Sequence, residues 1–218
     1  MKKFKRPNEG KQKILGMVFL LILISGVFIP WLGAGIMFLC IFAGFAIAFF
    51  AGRKWCDWYC PRGDFFDAYI SKISPGKSLP EWFYSYKFRL TVIAGLFTFL
   101  GFNVYLAWPN PEAIAFVFVR TLIITTVISI ILAVFFRPRA WCVLCPVGTF
   151  VGIVGGKNKP LKIDDKTCTS CTICQKACPM GLAPFKDRKE GKLKSRDCIK
   201  CEACVVNCPK KSLEFEKK

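Results

Sequence analysis

The sequence predicts an α-helical membrane protein of four transmembrane helices, built as a duplicated two-span repeat, followed by a small α+β domain. Three observations predict it. Mean hydropathy is +0.41 with 54% hydrophobic residues, high for a chain that folds in water. Four long apolar runs come in two pairs, and each pair ends in a version of one motif. Twelve of the thirteen cysteines fall into four short groups, with only Cys40 standing alone.

The first motif reads Arg53-Lys54-Trp55-Cys56-Asp57-Trp58-Tyr59-Cys60-Pro61-Arg62-Gly63-Asp64-Phe65. The second reads Arg139-Ala140-Trp141-Cys142-Val143-Leu144-Cys145-Pro146-Val147-Gly148-Thr149-Phe150. Both are Arg-x-Trp-Cys, a gap, then Cys-Pro-x-Gly-x-Phe. The gap holds three residues in the first copy and two in the second.

Residues 1–13 form a basic tail carrying Lys2, Lys3, Lys5, Arg6, Lys11 and Lys13, without apolar period. Residues 14–158 form the membrane domain. Ile14 to Ile29 is apolar and uncharged, enough for one tilted or slightly short span. A tight turn at residues 30–33 leads to a second span, about Ala34 to Ala51, stopped by Arg53 and Lys54. In the connector, residues 62–88, Phe65, Phe66, Tyr69, Ile70 and Ile73 recur at helical spacing opposite Asp64, Asp67, Ser71 and Lys72. That pattern predicts a short amphipathic helix lying on the membrane surface, ended by Pro75-Gly76. The third span runs from about Phe88 to Ala107 and the fourth from about Ala113 to Phe136, parted by a turn at residues 108–112.

Charge sets the expected topology. Nearly all membrane-proximal Lys and Arg lie in the tail, the connector and residues 137–159, whereas the two short turns carry only Glu112. The positive-inside rule places both termini and both motifs on the cytoplasmic side of the inner membrane. The repeats are then parallel, and equivalent loops meet about an axis along the membrane normal. The same rule accounts for most of the formal net charge of +18, so no nucleic-acid partner is expected; the partner of the surface is the bilayer. Histidine is absent, which excludes bis-histidine haem and a Rieske centre.

Gly155, Gly156 and Pro160 mark a linker to the last unit, residues 159–218. It is itself repeated: Cys168-x-x-Cys171-x-x-Cys174-x-x-x-Cys178-Pro179 recurs as Cys198-x-x-Cys201-x-x-Cys204-x-x-x-Cys208-Pro209. This is the spacing of bacterial two-cluster ferredoxins, in which the fourth cysteine of each run ligates the other cluster. Cys168, Cys171, Cys174 and Cys208 are therefore expected to hold one [4Fe-4S] cluster, and Cys198, Cys201, Cys204 and Cys178 a second. Zinc would need only one such set of four. No cleavable leader is evident, so the cysteines read as metal ligands in a reducing compartment rather than as disulfides.

For Cys56, Cys60, Cys142 and Cys145 the preferred reading is one shared centre, iron–sulfur or iron, held half by each repeat. The alternatives are a redox-active dithiol in each pair and a structural zinc. Trp55 and Trp141 shield such a centre or anchor at the interface. Arg53, Arg62 and Arg139 either stabilise an anionic centre or simply anchor the spans, the simpler account. Arg120 and Asn103 are the notable polar side chains within the spans, explained by snorkelling or by contact with a quinone head group or partner. No catalytic triad, dinucleotide fingerprint or phosphate-cradling loop occurs, and no catalytic residue is assigned.

The paired Trp-Cys…Cys-Pro motifs, the four spans and the double cysteine run together resemble the NapH/NosR family of membrane-bound polyferredoxins across nearly the whole chain. The stretch Trp141 to Phe150 is especially similar to the family's second motif, although three residues usually part its cysteines. The resemblance implies an electron-transfer protein, the partner of ferredoxin, flavoprotein or reductase subunits in a quinol dehydrogenase or other oxidoreductase complex, passing electrons between a quinol pool, or a membrane flavoprotein, and a reductase pathway. The CcoG family, which shares similar motifs and serves copper-enzyme assembly, and a membrane redox sensor are the rival readings.

Overall fold

The computed structural model describes residues 4–156 and 158–215; Lys2 and Lys3 of the expected tail lie outside them. Among the described residues four helices are long and apolar enough to cross a membrane: α1 (Glu9–Phe28), α2 (Pro30–Ala51), α5 (Tyr86–Ala107) and α6 (Pro111–Phe135). Their flanks carry exposed Phe28, Phe42, Phe50, Tyr105 and Leu106, the surface that a helix shows to lipid once its backbone polar groups are satisfied internally. α6 is the central helix, packed against α1, α2 and α5. Its buried side chains Ala115, Val117, Ser129 and Ala133 are small enough to let its neighbours approach.

The starts of the spans differ from expectation. α1 begins at Glu9, inside the expected tail, because the positive helix N-terminus favours an acid in its first turn. The expected turn at residues 30–33 is reduced to Ile29, since Pro30 opens α2 at a position where a missing N–H costs nothing. Pro111 starts α6 in the same way, with the Asn110 side chain accepting from the backbone N–H groups of Glu112 and Ala113. Arg120 and Asn103 meet one another, Arg120 Nη2 donating to Asn103 Oδ1 between α6 and α5.

Each pair of spans is followed by two short helices broken at a Cys-Pro step: α3 (Lys54–Trp58) and α4 (Pro61–Ala68), then α7 (Ala140–Leu144) and α8 (Pro146–Gly155). α4 corrects one expectation. It does not lie on the surface: Gly63, Asp64, Phe65, Phe66 and Asp67 are all buried, and α4 packs along α1 with the Phe19 and Phe65 rings 5.6 Å apart. The acidic face is buried as well as the apolar one because cationic side chains meet it inside the protein.

The C-terminal part is compactly tied. Strands β1 (Leu161–Ile163) and β2 (Leu213–Phe215) pair antiparallel and close its two ends on each other. Two short helices, α9 (Ile173–Ala177) and α10 (Ala203–Val206), occupy equivalent places in the two cysteine runs. The part does not hang from the Gly155-Gly156 segment as a separate body. One apolar core runs from Leu79, Phe83, Val143 and Leu144 of the membrane half into Leu161, Ile163, Ile199 and Ala203.

Candidate iron–sulfur sites

The double cysteine run bends in the same way twice. Ser170 and Thr172, either side of Cys171, have φ of 53° and 63°; Lys200 and Glu202, either side of Cys201, have φ of 56° and 59°. Left-handed backbone costs a residue with a side chain on the order of 1–3 kcal/mol and persists only where the surroundings impose it. Here it turns successive cysteines toward one point instead of letting them spiral away. Two similar pockets result. Cys168, Cys171, Cys174 and Cys208 line the first. Cys178, Cys198, Cys201 and Cys204 line the second. The fourth cysteine of each run thus faces the other run's pocket. Among the described residues no Cys, Asp or Glu trio closes on a single metal ion. Thiols spread around a pocket suit a four-iron cubane, each of whose irons takes one thiolate.

The membrane-half cysteines meet at the face where α2 and α6 end. Cys56 is buried, Cys60, Cys142 and Cys145 are half-buried, and all are free thiols. Cys56 lies within electrostatic reach of Cys142 and Cys145, and Cys60 of Cys56 and Cys142. Burial pushes the Cys56, Cys60 and Cys142 thiols up, so they stay neutral unless a cation takes the proton's place; metal coordination deprotonates a thiol outright.

Three guanidinium groups surround these thiols, and two of them exchange places between the repeats. Arg53, from the first motif, donates from Nη2 to the Cys142 carbonyl of the second at 2.9 Å. Arg139, from the second, donates from Nη1 to the Cys56 carbonyl of the first at 2.5 Å. Both arginines are fully buried, at 0% exposure, which excludes plain interface anchoring for them. Each fits because the partner motif has glycine at the matching place. A Cβ at Gly148 would stand 2.8 Å from Arg53 Nη2, and one at Gly63 would run into the Arg139 guanidinium. Arg62 anchors to α6, donating to the Thr125 carbonyl at 2.7 Å and Ser129 Oγ at 2.6 Å, and lies over the Trp141 ring, 5.5 Å from its centroid. Trp141 is buried, while Trp55 stacks on Tyr59 at 5.7 Å.

The counter-charges of the two exchanged arginines differ in origin. Arg139 binds Asp67 Oδ2 through Nε at 2.9 Å and Nη2 at 2.5 Å, with Asp57 and Asp64 at 3.7 and 3.8 Å. Arg6, from the N-terminal tail, reaches Asp67 at 2.5 Å. Burial pushes Asp57 up to about 6 and Asp64 up to about 7. Against the same burial, Arg139 and Arg6 hold Asp67 below the usual carboxylate range. The second motif has Val143 and Thr149 where the first has Asp57 and Asp64, so Arg53 finds no acid there. Its partner is Asp197, in the C-terminal part beside Cys198, at 2.7 Å. Arg89 of α5 holds the same carboxylate at 2.9 and 2.5 Å. Against burial, these two arginines pull Asp197 below the carboxylate range.

The glycine niche gives a direct prediction. Gly148→Ala is expected to cost roughly 1–3 kcal/mol through overpacking, read as a lower melting temperature in detergent. An unchanged melt would mean that Arg53 gives way freely and that the niche is not tight.

Known proteins match both halves. A 4Fe-4S dicluster family model matches residues 160–209. A 4Fe-4S binding domain model matches twice, over residues 34–80 and 119–162, once per repeat. An uncharacterized protein of Methanocaldococcus jannaschii is 28% identical over 78% of this chain and 66% of its own length. The ferredoxin-type protein NapH of Haemophilus influenzae is 25% identical over 79% of this chain and 66% of its own. The YccM protein of Escherichia coli, named for electron transport, is 26% identical over 94% of this chain and 62% of its own. The chain thus spans about two thirds of the length of these relatives. No solved structure matches it.

Four apolar spanning helices, cysteine-lined pockets and these matches define a membrane-bound iron–sulfur electron-transport protein. Within that class the chain is similar to the NapH and YccM proteins.

Proposed function

We propose that this chain relays single electrons between a redox partner at its ferredoxin-like part and a centre at the membrane face, with a quinol pool or a partner redox subunit beyond. Cys168, Cys171, Cys174 and Cys208 hold one [4Fe-4S] cluster; Cys198, Cys201, Cys204 and Cys178 hold another. Cys56, Cys60, Cys142 and Cys145 hold a third centre, half from each repeat. Bound iron–sulfur groups supply one-electron carriage with little rearrangement. The residues of the chain do the rest: thiols ligate, buried arginines offset the negative charge of the ligated centre, and Trp141 with the surrounding apolar side chains limits water. Both termini and the ferredoxin-like part face the cytoplasm, in keeping with the Lys and Arg distribution. The membrane domain covers residues 14–158 and the ferredoxin-like domain residues 159–218.

The observation that carries this reading is the meeting of four free thiols from both repeats under three guanidinium groups. Iron and acid-labile sulfide per chain test it, on anaerobically purified protein with EPR. About twelve irons are expected in the wild type, and about eight in the Cys56→Ser/Cys142→Ser protein. About eight in both, with a dithiol titration lost in the variant, would replace the third centre by a redox-active thiol pair.

A further inference from the structure

Resting on that relay reading, we infer that the ferredoxin-like part has one port to the cytoplasm, a lysine-rimmed surface over Cys171 that takes an acidic soluble one-electron carrier.

The two pockets differ in what surrounds them. The Cys178/Cys198/Cys201/Cys204 pocket is walled in by the membrane half. Arg137 Nη1 donates to the Cys178 carbonyl at 2.6 Å, and Asp197, next to Cys198, is gripped by Arg53 and Arg89. Lys200 is buried, with Nζ donating to the carbonyls of Ala51 and Asn158. Cys201 is itself buried and lies within electrostatic reach of Asp57 and Arg6. A carrier cannot approach there without undocking the two halves.

The Cys168/Cys171/Cys174/Cys208 pocket is open instead. Cys171 is the one exposed cysteine of the thirteen, all of which lie among the described residues. Lys166, Lys176, Lys210 and Lys211, each within three residues of a cysteine of this pocket, are exposed, and Lys210 lines it. The neighbouring acids are engaged. Asp164 accepts from Lys166 N at 3.1 Å and Thr167 Oγ1 at 2.8 Å, and Asp165 pairs with Arg188 at 3.2 Å. Glu214 stands opposite Lys162 across the two-stranded sheet. Asp164 keeps its charge, but Lys166, Lys176, Lys210, Lys211 and Arg188 outnumber Asp164 and Asp165, so the surface over the exposed thiol is cationic, and complementary charge selects partners and speeds encounter. In the exchange, one electron leaves the reduced carrier, which is oxidised by one, and enters the group held by these four cysteines, which is reduced by one. No bond or proton changes hands. The order of the relay is then port, walled pocket, membrane face.

The test uses the full chain in detergent and two probes: an oxidised acidic [2Fe-2S] ferredoxin for binding, and the neutral radical of photoreduced 5-deazariboflavin for reduction. The Lys166→Glu/Lys176→Glu/Lys210→Glu/Lys211→Glu protein should bind the ferredoxin at least about tenfold more weakly than the wild type at low salt. The four-fold Lys→Gln protein should fall between them, and wild-type binding should weaken with salt. Lys72→Glu/Lys87→Glu, exposed positions on the membrane half, should bind like the wild type. Deazariboflavin should reduce all these proteins equally by EPR. Equal affinity of the wild type and the Lys→Glu protein, or no wild-type binding, overturns the port. Clusters that deazariboflavin leaves oxidised in the wild type overturn the relay reading itself.

Discussion

Arg139→Leu protein is expected to lose about 3–5 kcal/mol of stability, the usual cost of removing one partner from a buried ion pair. Arg139 is fully buried and is the main counter-ion of Asp57, Asp64 and Asp67. Without it, three carboxylates share Arg6, and the Cys56 carbonyl loses its donor. The sign of the pH dependence follows. In the wild type, Asp67 is held low by Arg139 and Arg6 against its burial, so its contribution is whole between pH 8 and pH 6 and is lost only in stronger acid, whereas Asp57 and Asp64, raised by burial to about 6 and about 7, already gain from mild acid. In the variant all three carboxyls are driven further up, their charged forms oppose folding, and mild acid recovers more stability than it does in the wild type. Melting temperatures of both proteins in detergent between pH 8 and pH 6 check this. A variant that melts with the wild type at pH 8 would show that Arg139 is not what neutralises this cluster. Arg139→Lys should rescue little, because one ammonium cannot serve Asp67 and the Cys56 carbonyl in the two directions that a guanidinium spans.

Asp197→Asn is the second large effect expected. The amide keeps the shape but removes the carboxylate that, among the described residues, is bonded to Arg53 and Arg89. Two buried guanidinium groups then face each other uncompensated, a loss of about 3 kcal/mol or more. The weakness should appear locally, as undocking of the ferredoxin-like part. Limited proteolysis between Gly155 and Leu161 should become several-fold faster, while the released C-terminal fragment keeps its iron. Cutting at the wild-type rate would mean that the shared apolar core alone holds the halves together. Asp197→Glu should restore part of the protection.

Much of this was legible in the sequence. The spans are continuous apolar runs with arginine or proline at their ends, so their number and last residues could be read to within a residue or two. Cysteine spacing alone gave the crossed sets of four that line the two pockets. The helix starts were less legible, because Glu9 and Pro30 look like a tail and a turn until the helix N-terminus accommodates them. The burial of α4 was read wrongly for a physical reason. Asp64 and Asp67 look like a solvent face, and their partners Arg6 and Arg139 lie about sixty and seventy residues away. Arg53 and Arg139 were indistinguishable from topology signals, since a positive charge beside a span is expected anyway. A signal did exist. The two motifs keep an arginine and a glycine at matching places, and the second drops both acids of the first. Meanwhile Asp197 precedes Cys198 where Thr167 precedes Cys168.

The crossing of the two arginines bears on how such a chain can come to exist. Each two-span unit has its glycine niche filled by the other unit's arginine and not by its own. Two identical units side by side can fill both niches at once, as a symmetric pair. Joined in one polypeptide, the units keep that handshake while becoming free to differ. One has acids of its own for its partner's arginine, and the other leaves that duty to the module attached behind it. Neither half is then a spare copy: each is the missing wall of the other.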